Sequence, residues 1–236
     1  MSEAPGKLLI LVGPAGVGKT TLARSFIALA PQHRAFSVSH TTRPMRASES
    51  DGVDYWFVTR ATFEAQRDQG GFAEWAEVHG NLYGTSRREI ARLSGPGQVA
   101  VFDVDIVGAL ILWQHYPQQA VLVFVMPPSW SVLVQRLAGR GSETEVTLRR
   151  RLRTARMELQ ELLASTAPWH AVLNSELPTA VAQIVAAVAL PAASVIDSTA
   201  RDRVSALLLA AQADPRTDDP PADDPQSDDP HTKVPS

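Results

Sequence analysis

The sequence predicts an α/β protein with a central parallel sheet flanked by helices. Three observations predict it: short apolar runs alternate with helix-length segments as far as Leu173, a glycine-rich loop separates the first run from the first helix, and the rhythm fails only across one polar, aromatic interval. The runs Leu8–Val12, Ala35–Val38, Val99–Val104, Val121–Met126 and His170–Leu173 read as buried strands. Between them, Lys19–Leu29, Ile106–Tyr116, Ser129–Ala138 and Glu143–Ser165 have helical length. The interval Arg43–Arg92 offers only Asp54–Thr59 and Phe72–Val78 as short strands and is expected to form a small inserted subdomain. Pro178–Leu190 reads as a closing helix, since proline suits a first turn and Ala180, Ile184 and Val188 fall on one stripe. Ile196–Ala213 is expected to be an appended helix.

Composition narrows the chemistry. With 236 residues, 44% of them apolar and 20% charged, the chain can bury a sizeable core. No apolar run approaches the ~20 residues that cross a bilayer, so the expectation is a cytoplasmic protein with no membrane partner. Cysteine is absent, which excludes disulfide scaffolds, thiolate metal sites and cysteine nucleophiles. The net charge of −3 is the sum of two unlike parts: residues 1–213 carry +2, and residues 214–236 carry −5. That tail repeats Asp-Asp-Pro from Asp218, Asp223 and Asp228, has little to bury, and is expected to be disordered. A near-neutral body argues against nucleic acid as a partner.

Gly13-Pro14-Ala15-Gly16-Val17-Gly18-Lys19-Thr20 follows the first strand and opens a helix, which fits the eight-residue phosphate-binding loop pattern. Glycines allow main-chain N–H groups to converge on phosphate oxygens, and the helix directs its positive end at the anion. Lys19 would bridge the β and γ phosphates of a bound nucleotide, and the Thr20 hydroxyl would ligate magnesium. The Asn-Lys-x-Asp segment with which switch GTPases read guanine is absent.

Four further motifs follow: Ser39-His-Thr-Thr-Arg43-Pro-Met-Arg46-Ala-Ser-Glu49, then Asp51–Tyr55, Glu74-Trp-Ala-Glu77 and Gly80–Ser86. Arg43 and Arg46 supply always-charged forks suited to a phosphate dianion, and Tyr55 and Tyr83 can add neutral donors. With these motifs in this order, the chain from Lys7 to Leu190 resembles the guanylate kinases, which transfer the γ phosphate of ATP to GMP. The resemblance implies a P-loop kinase core at residues 6–42 and 95–190, a GMP-binding insert at about 43–94 and a lid at about 136–150. It also implies that Glu74, with Ser39 and Thr85, reads guanine, a carboxylate facing N1–H and N2–H₂ while a hydroxyl faces O6. Gly84 would lie beside them, Glu49 would hold the arginines, and Asp103 would stand on the guanine side. A site of this kind can reject an analogue that leaves its hydrogen bonds unpaired by ~10⁴.

Asp103 and Asp105 end the third apolar run at the edge where parallel sheets bind ligands, so either one suits a magnesium shell. Seven arginines lie between Arg136 and Arg156. The resemblance identifies Arg136, Arg140 and Arg151 as cations for the triphosphate and the moving phosphoryl group, whose loose transition state calls for positioning and positive charge. Two positions depart from the family: Ser48 replaces a usual glycine and Val107 a usual glutamine. Two other readings stay open on the residues alone. A guanylate-kinase-like interaction module would be expected to have a degraded phosphate loop, and a kinase of phosphorylated sugars would be expected to lack Glu74 and Ser39.

Overall fold

The computed structural model describes residues 5–47, 49–78, 80–139, 144–190 and 197–218. Its main sheet takes β1 (Lys7–Val12), β2 (Arg34–Phe36), β7 (Val99–Asp103), β8 (Ala120–Met126) and β9 (Trp169–Leu173), all parallel, in the order β2-β7-β1-β8-β9. β1 lies at its centre, so the loop after it leaves the carboxyl edge between two neighbouring strands. That is where open α/β sheets bind ligands.

The strands are apolar on both faces because both faces are covered. Leu8, Ile10 and Val12 of β1 point into one core, and Leu9 and Leu11 into the other. The second core is closed by α1 (Lys19–Ala28) through Leu22, Ala23 and Phe26, and by α7 (Leu177–Ala189) through Ala180, Val181, Ile184 and Ala187. The first is larger. It takes side chains from α3 (Arg87–Leu93), α4 (Ile106–His115), α5 (Trp130–Ala138), α6 (Glu145–Ala164) and α8 (Ser198–Gln212). Every residue of β8 is buried, and each large aliphatic side chain so placed contributes roughly 1.5–3 kcal/mol.

The inserted region is richer than its sequence pattern shows. It forms a four-stranded sheet in the order β4-β3-β6-β5, from β3 (His40–Thr41), β4 (Trp56–Phe57), β5 (Phe72–Val78) and β6 (Asn81–Ser86), together with α2 (Arg60–Asp68) and α3. Its small core stacks Phe63 on Phe72 with ring centroids 4.2 Å apart. The expected strand at Asp54–Thr59 shrinks to two residues. The expected strand Ala35–Val38 stops at Phe36, because the N–H of Val38 is taken by the Glu89 carboxylate at 3.2 Å rather than by a strand neighbour.

Caps set the helix starts. Asp105 accepts from the N–H of Gly108 at 2.7 Å and opens α4, Ser129 opens α5, and Thr144 with Thr147 forms a capping box for α6, each worth about 1 kcal/mol. Of the stretch assigned to a lid, residues 136–138 close α5 and 145–150 open α6, and residues 140–143, with the site residue Arg140, lie outside the described residues. Ser48 and residues 219–236, which hold most of the acidic tail, also lie outside them.

Candidate active site

The loop Gly13–Thr20 is built for anions. Gly13, Gly16 and Gly18 have φ of 139°, 81° and 102°, a region that side-chain-bearing residues rarely adopt, and Gly18 is itself the N-cap of α1. Lys19 folds back over the loop, its Nζ 2.6 Å from the Gly13 carbonyl and 3.7 Å from Asp103 Oδ1. Thr20 Oγ1 lies 3.5 Å from Asp103 Oδ2. Ala15, Gly16, Gly18, Lys19, Thr20 and Asp103 line a cleft of about 350 Å³, and Arg151 reaches it from α6.

Arg136 stands behind this loop. It donates to the carbonyls of Val17 and Asn174, both at 3.3 Å, and the Asn174 amide donates to the Val17 carbonyl at 2.7 Å. Asn174 is absent from the motifs above, and its one sequence signal is its position directly after the last strand of the parallel sheet.

A second cleft of about 420 Å³ opens between the main sheet and the inserted subdomain, lined in part by Ser39, Glu49, Tyr55, Asp54 and Arg24. Thr20 and Asp103 line it too, so the two clefts share a wall. At its rim the Arg43 guanidinium makes a two-pronged pair with Glu49 and donates to the Pro44 carbonyl at 2.7 Å. The Glu49 carboxyl is held below the usual range by Arg43 and also accepts from the N–H of Arg46 at 2.8 Å. Arg43 sits 5.6 Å from the Tyr55 ring, and Tyr55 packs edge-on to Tyr83 at 5.9 Å. Burial pushes the Tyr55 hydroxyl up, so it stays a neutral donor. The Arg46 guanidinium is exposed.

Glu74 does not line this cleft. It is buried on β5 against the start of α4, beside Asp105, with its Oε2 3.1 Å from where a Cβ on Gly108 would sit. Burial is the main cause that raises its pKa to about 7, and Asp105 pushes the same way. Thr85, paired with it across β5 and β6, opposes the shift, though the fully buried Thr85 Oγ1 completes no hydrogen bond of standard geometry. Gly84 lies on β6 opposite Trp75 and His40. The two aspartates have therefore parted company: Asp103 faces Lys19 and Thr20, while Asp105 caps α4 near Glu74. Val107, at the second departure from the family pattern, packs partly buried against the main core.

Residues 5–188 match the guanylate kinase family. The chain belongs to that family. It is 45% identical over 184 residues to the guanylate kinase of Anaeromyxobacter dehalogenans, covering 78% of this chain and 80% of that protein. The guanylate kinase of Symbiobacterium thermophilum is 42% identical over 183 residues, covering 78% of this chain and 84% of that one. The crystal structure of a guanylate kinase from Anaplasma phagocytophilum superposes with a TM-score of 0.56 at 26% identity, over 90% of this chain and 89% of that chain. This guanylate kinase is thus an ATP-dependent transferase of the P-loop kinase fold, and among its described residues no helix is long and apolar enough to cross a membrane.

Proposed function

We infer that this guanylate kinase holds the phosphates of ATP in the Gly13–Thr20 loop and GMP in the cleft beneath the inserted subdomain, with the γ phosphate passing across the wall between them. The observation that carries this reading is that wall: Thr20 and Asp103 belong to both clefts, so ligands seated in each would meet there. Reactants brought into contact in this way gain most of their rate from orientation.

The roles follow from placement. Main-chain N–H groups of the loop and the start of α1 bind the triphosphate, and Lys19 and Arg151 offset the charge that spreads over the moving group. Arg136 acts on the loop from behind, fixing the Val17 carbonyl, and Arg140 joins these cations on the strength of its motif. Arg43 and Arg46, with Tyr55 and Tyr83, receive the acceptor phosphate, while Glu49 keeps Arg43 aimed. Ser39, which lines the acceptor cleft, reads guanine together with Glu74 and Thr85, which are buried outside its lining and must be reached by the base. The acceptor oxygen of GMP is already ionised, so the site needs alignment more than a base.

Thr20 and Asp103 offer the hard oxygen donors that magnesium prefers. Among the described residues no group of three carboxylates or imidazoles competes, which suits an ion held largely by phosphates and water. When bound, that ion supplies charge neutralisation on the β and γ phosphate oxygens. The proposed setting is cytoplasmic, with GMP and ATP as partners and neither nucleic acid nor membrane. Coupled ADP release with GMP, dGMP, AMP and ribose phosphates as acceptors tests the reading. Strong preference for the guanine nucleotides supports it, and ADP release that is equal with and without GMP overturns it.

A further inference from the structure

The family match ends at residue 188, yet the chain continues into a further described segment, residues 197–218, that packs against α6. At the carboxyl end of α6, Arg201 of α8 donates to the Leu163 carbonyl at 2.9 Å. Val204, Leu207 and Ala211 of α8 are buried in the same core as Leu148, Leu152, Ala155, Leu159 and Leu162 of α6. Beyond α8 a short 3-10 helix, Pro215–Thr217, packs against α6 near its middle, where Arg156 Nη1 lies 3.5 Å from Thr217 Oγ1 and 4.0 Å from Asp218 Oδ1. Among the described residues, α6 packs more closely with α8 and this turn than with any other element.

The segment also ties α6 to α5. Asp214 receives the indole N–H of Trp130, the first residue of α5, at 2.9 Å, and a two-pronged pair from Arg216 at 2.9 and 2.7 Å. Asp214 and Trp130 are 8% and 6% exposed, so the join is desolvated and its loss would strand a buried indole N–H. Arg216 and the indole hold the Asp214 carboxyl down at about 2, and the join therefore stays charged across the working pH range.

These two helices carry the arginines that meet the donor loop, one behind it and one at its cleft. Arg136 is on α5, and Arg151, one and a half turns before Arg156, is on α6. We propose that residues 197–218 are a brace that sets α6 against α5 and so holds Arg151 over the phosphate loop, with Asp214 as the positioning residue at its keystone. Asp214 touches no substrate in this scheme and acts through Arg151.

The inference rests on Arg151 serving as a triphosphate cation, and the test separates the two. In the full-length protein, Asp214→Ala should lower kcat/KM for ATP by roughly ten- to a hundredfold, up to the loss that a 1 Å misplacement caused far from the chemistry can produce. KM for GMP should stay near wild type. Asp214→Asn, which keeps an oxygen for the indole, should give a smaller loss of the same kind, and answers the question if the alanine variant does not fold. In a double-mutant cycle, Asp214→Ala should cost much less in an Arg151→Ala background than in the wild type. If Arg151→Ala is impaired and the Asp214 losses add to it in full, or if neither Asp214 variant changes ATP kinetics, the brace only stabilises and the proposal falls. If Arg151→Ala itself keeps wild-type ATP kinetics, the assignment of Arg151 falls first and the brace with it.

Discussion

Arg43 sets both terminal nitrogens of its guanidinium on the Glu49 carboxylate, at 3.0 and 2.8 Å. Both side chains are largely sheltered, so the pair fixes the direction of the cation instead of merely neutralising it. Glu49→Gln should release Arg43 from this direction and raise KM for GMP about tenfold with a smaller change in kcat, as expected for loss of a charge-assisted hydrogen bond. Steady-state kinetics at saturating ATP measures it; an unchanged KM would show that Arg43 needs no such aim.

Lys19→Ala should abolish turnover even at saturating GMP, with kcat down by about 10³ or more. The lysine lies between the loop and Asp103, where the proposed transfer would move charge. Calorimetric titration of GMP should be little altered, since the acceptor cleft keeps its Arg43, Tyr55 and Glu49.

In the proposed base-reading role only ionised Glu74 can accept from both guanine donors, and burial raises its pKa to about 7. KM for GMP should therefore climb as pH falls through 7, by up to about tenfold per unit, while KM for ATP stays flatter. Glu74→Gln should abolish this slope and narrow the preference for GMP over AMP. A GMP profile that is flat between pH 6 and 8 in the wild type would remove Glu74 from base reading.

Glu158, on the buried face of α6, also titrates at about 7, chiefly through burial, with its Oε2 lacking a partner and the nearby Lys19 pulling the other way. The folded value lies above the unfolded one of 4.5, so the folded state binds more protons in between and stability falls as pH rises from 4.5 to 7. Above 7 the cost is fully present. Glu158→Gln should raise Tm at pH 8, on the order of 1–3 kcal/mol of stability, and leave it unchanged near pH 4. Thermal melts at the two pH values decide it.

Gly108 leaves room for two carboxylates, as an added Cβ would stand 3.1 Å from Glu74 Oε2 and 3.2 Å from Asp105 Oδ1. Gly108→Ala should gain up to about 1 kcal/mol of helix propensity yet crowd Glu74. The expected result is weaker GMP binding, several-fold in KM, without loss of Tm. A variant whose KM for GMP matches wild type would show that Glu74 can shift without consequence.

How much of this was legible in the sequence follows from how far apart the interacting residues are. The phosphate loop could be read directly, because eight consecutive residues build it and the flanking elements announce themselves by apolar pattern. The main strands were legible for the same reason, being apolar on both faces. The inserted subdomain was legible only as an interval with the strand Phe72–Val78, and its other strands were not: β3 and β4 are two residues long, β6 reads Asn-Leu-Tyr-Gly-Thr-Ser, and such short polar strands exist only by pairing with their neighbours. The separate tasks of Asp103 and Asp105 were equally hidden, since strand alternation placed them alike and only the cap on Gly108 draws one away. Asn174 and Arg136 meet at Val17 from distant parts of the chain, a contact no local pattern records.

Trp130, Leu159 and Leu207 share one core, although only the first two fall within the length common to the family. The family boundary near residue 188 therefore divides a shared core, whose side chains from α8 lie beyond it. A shortened form ending at Leu190 would expose that interior to water, so its unfolding should begin at the two helices nearest the triphosphate and reach the acceptor side last.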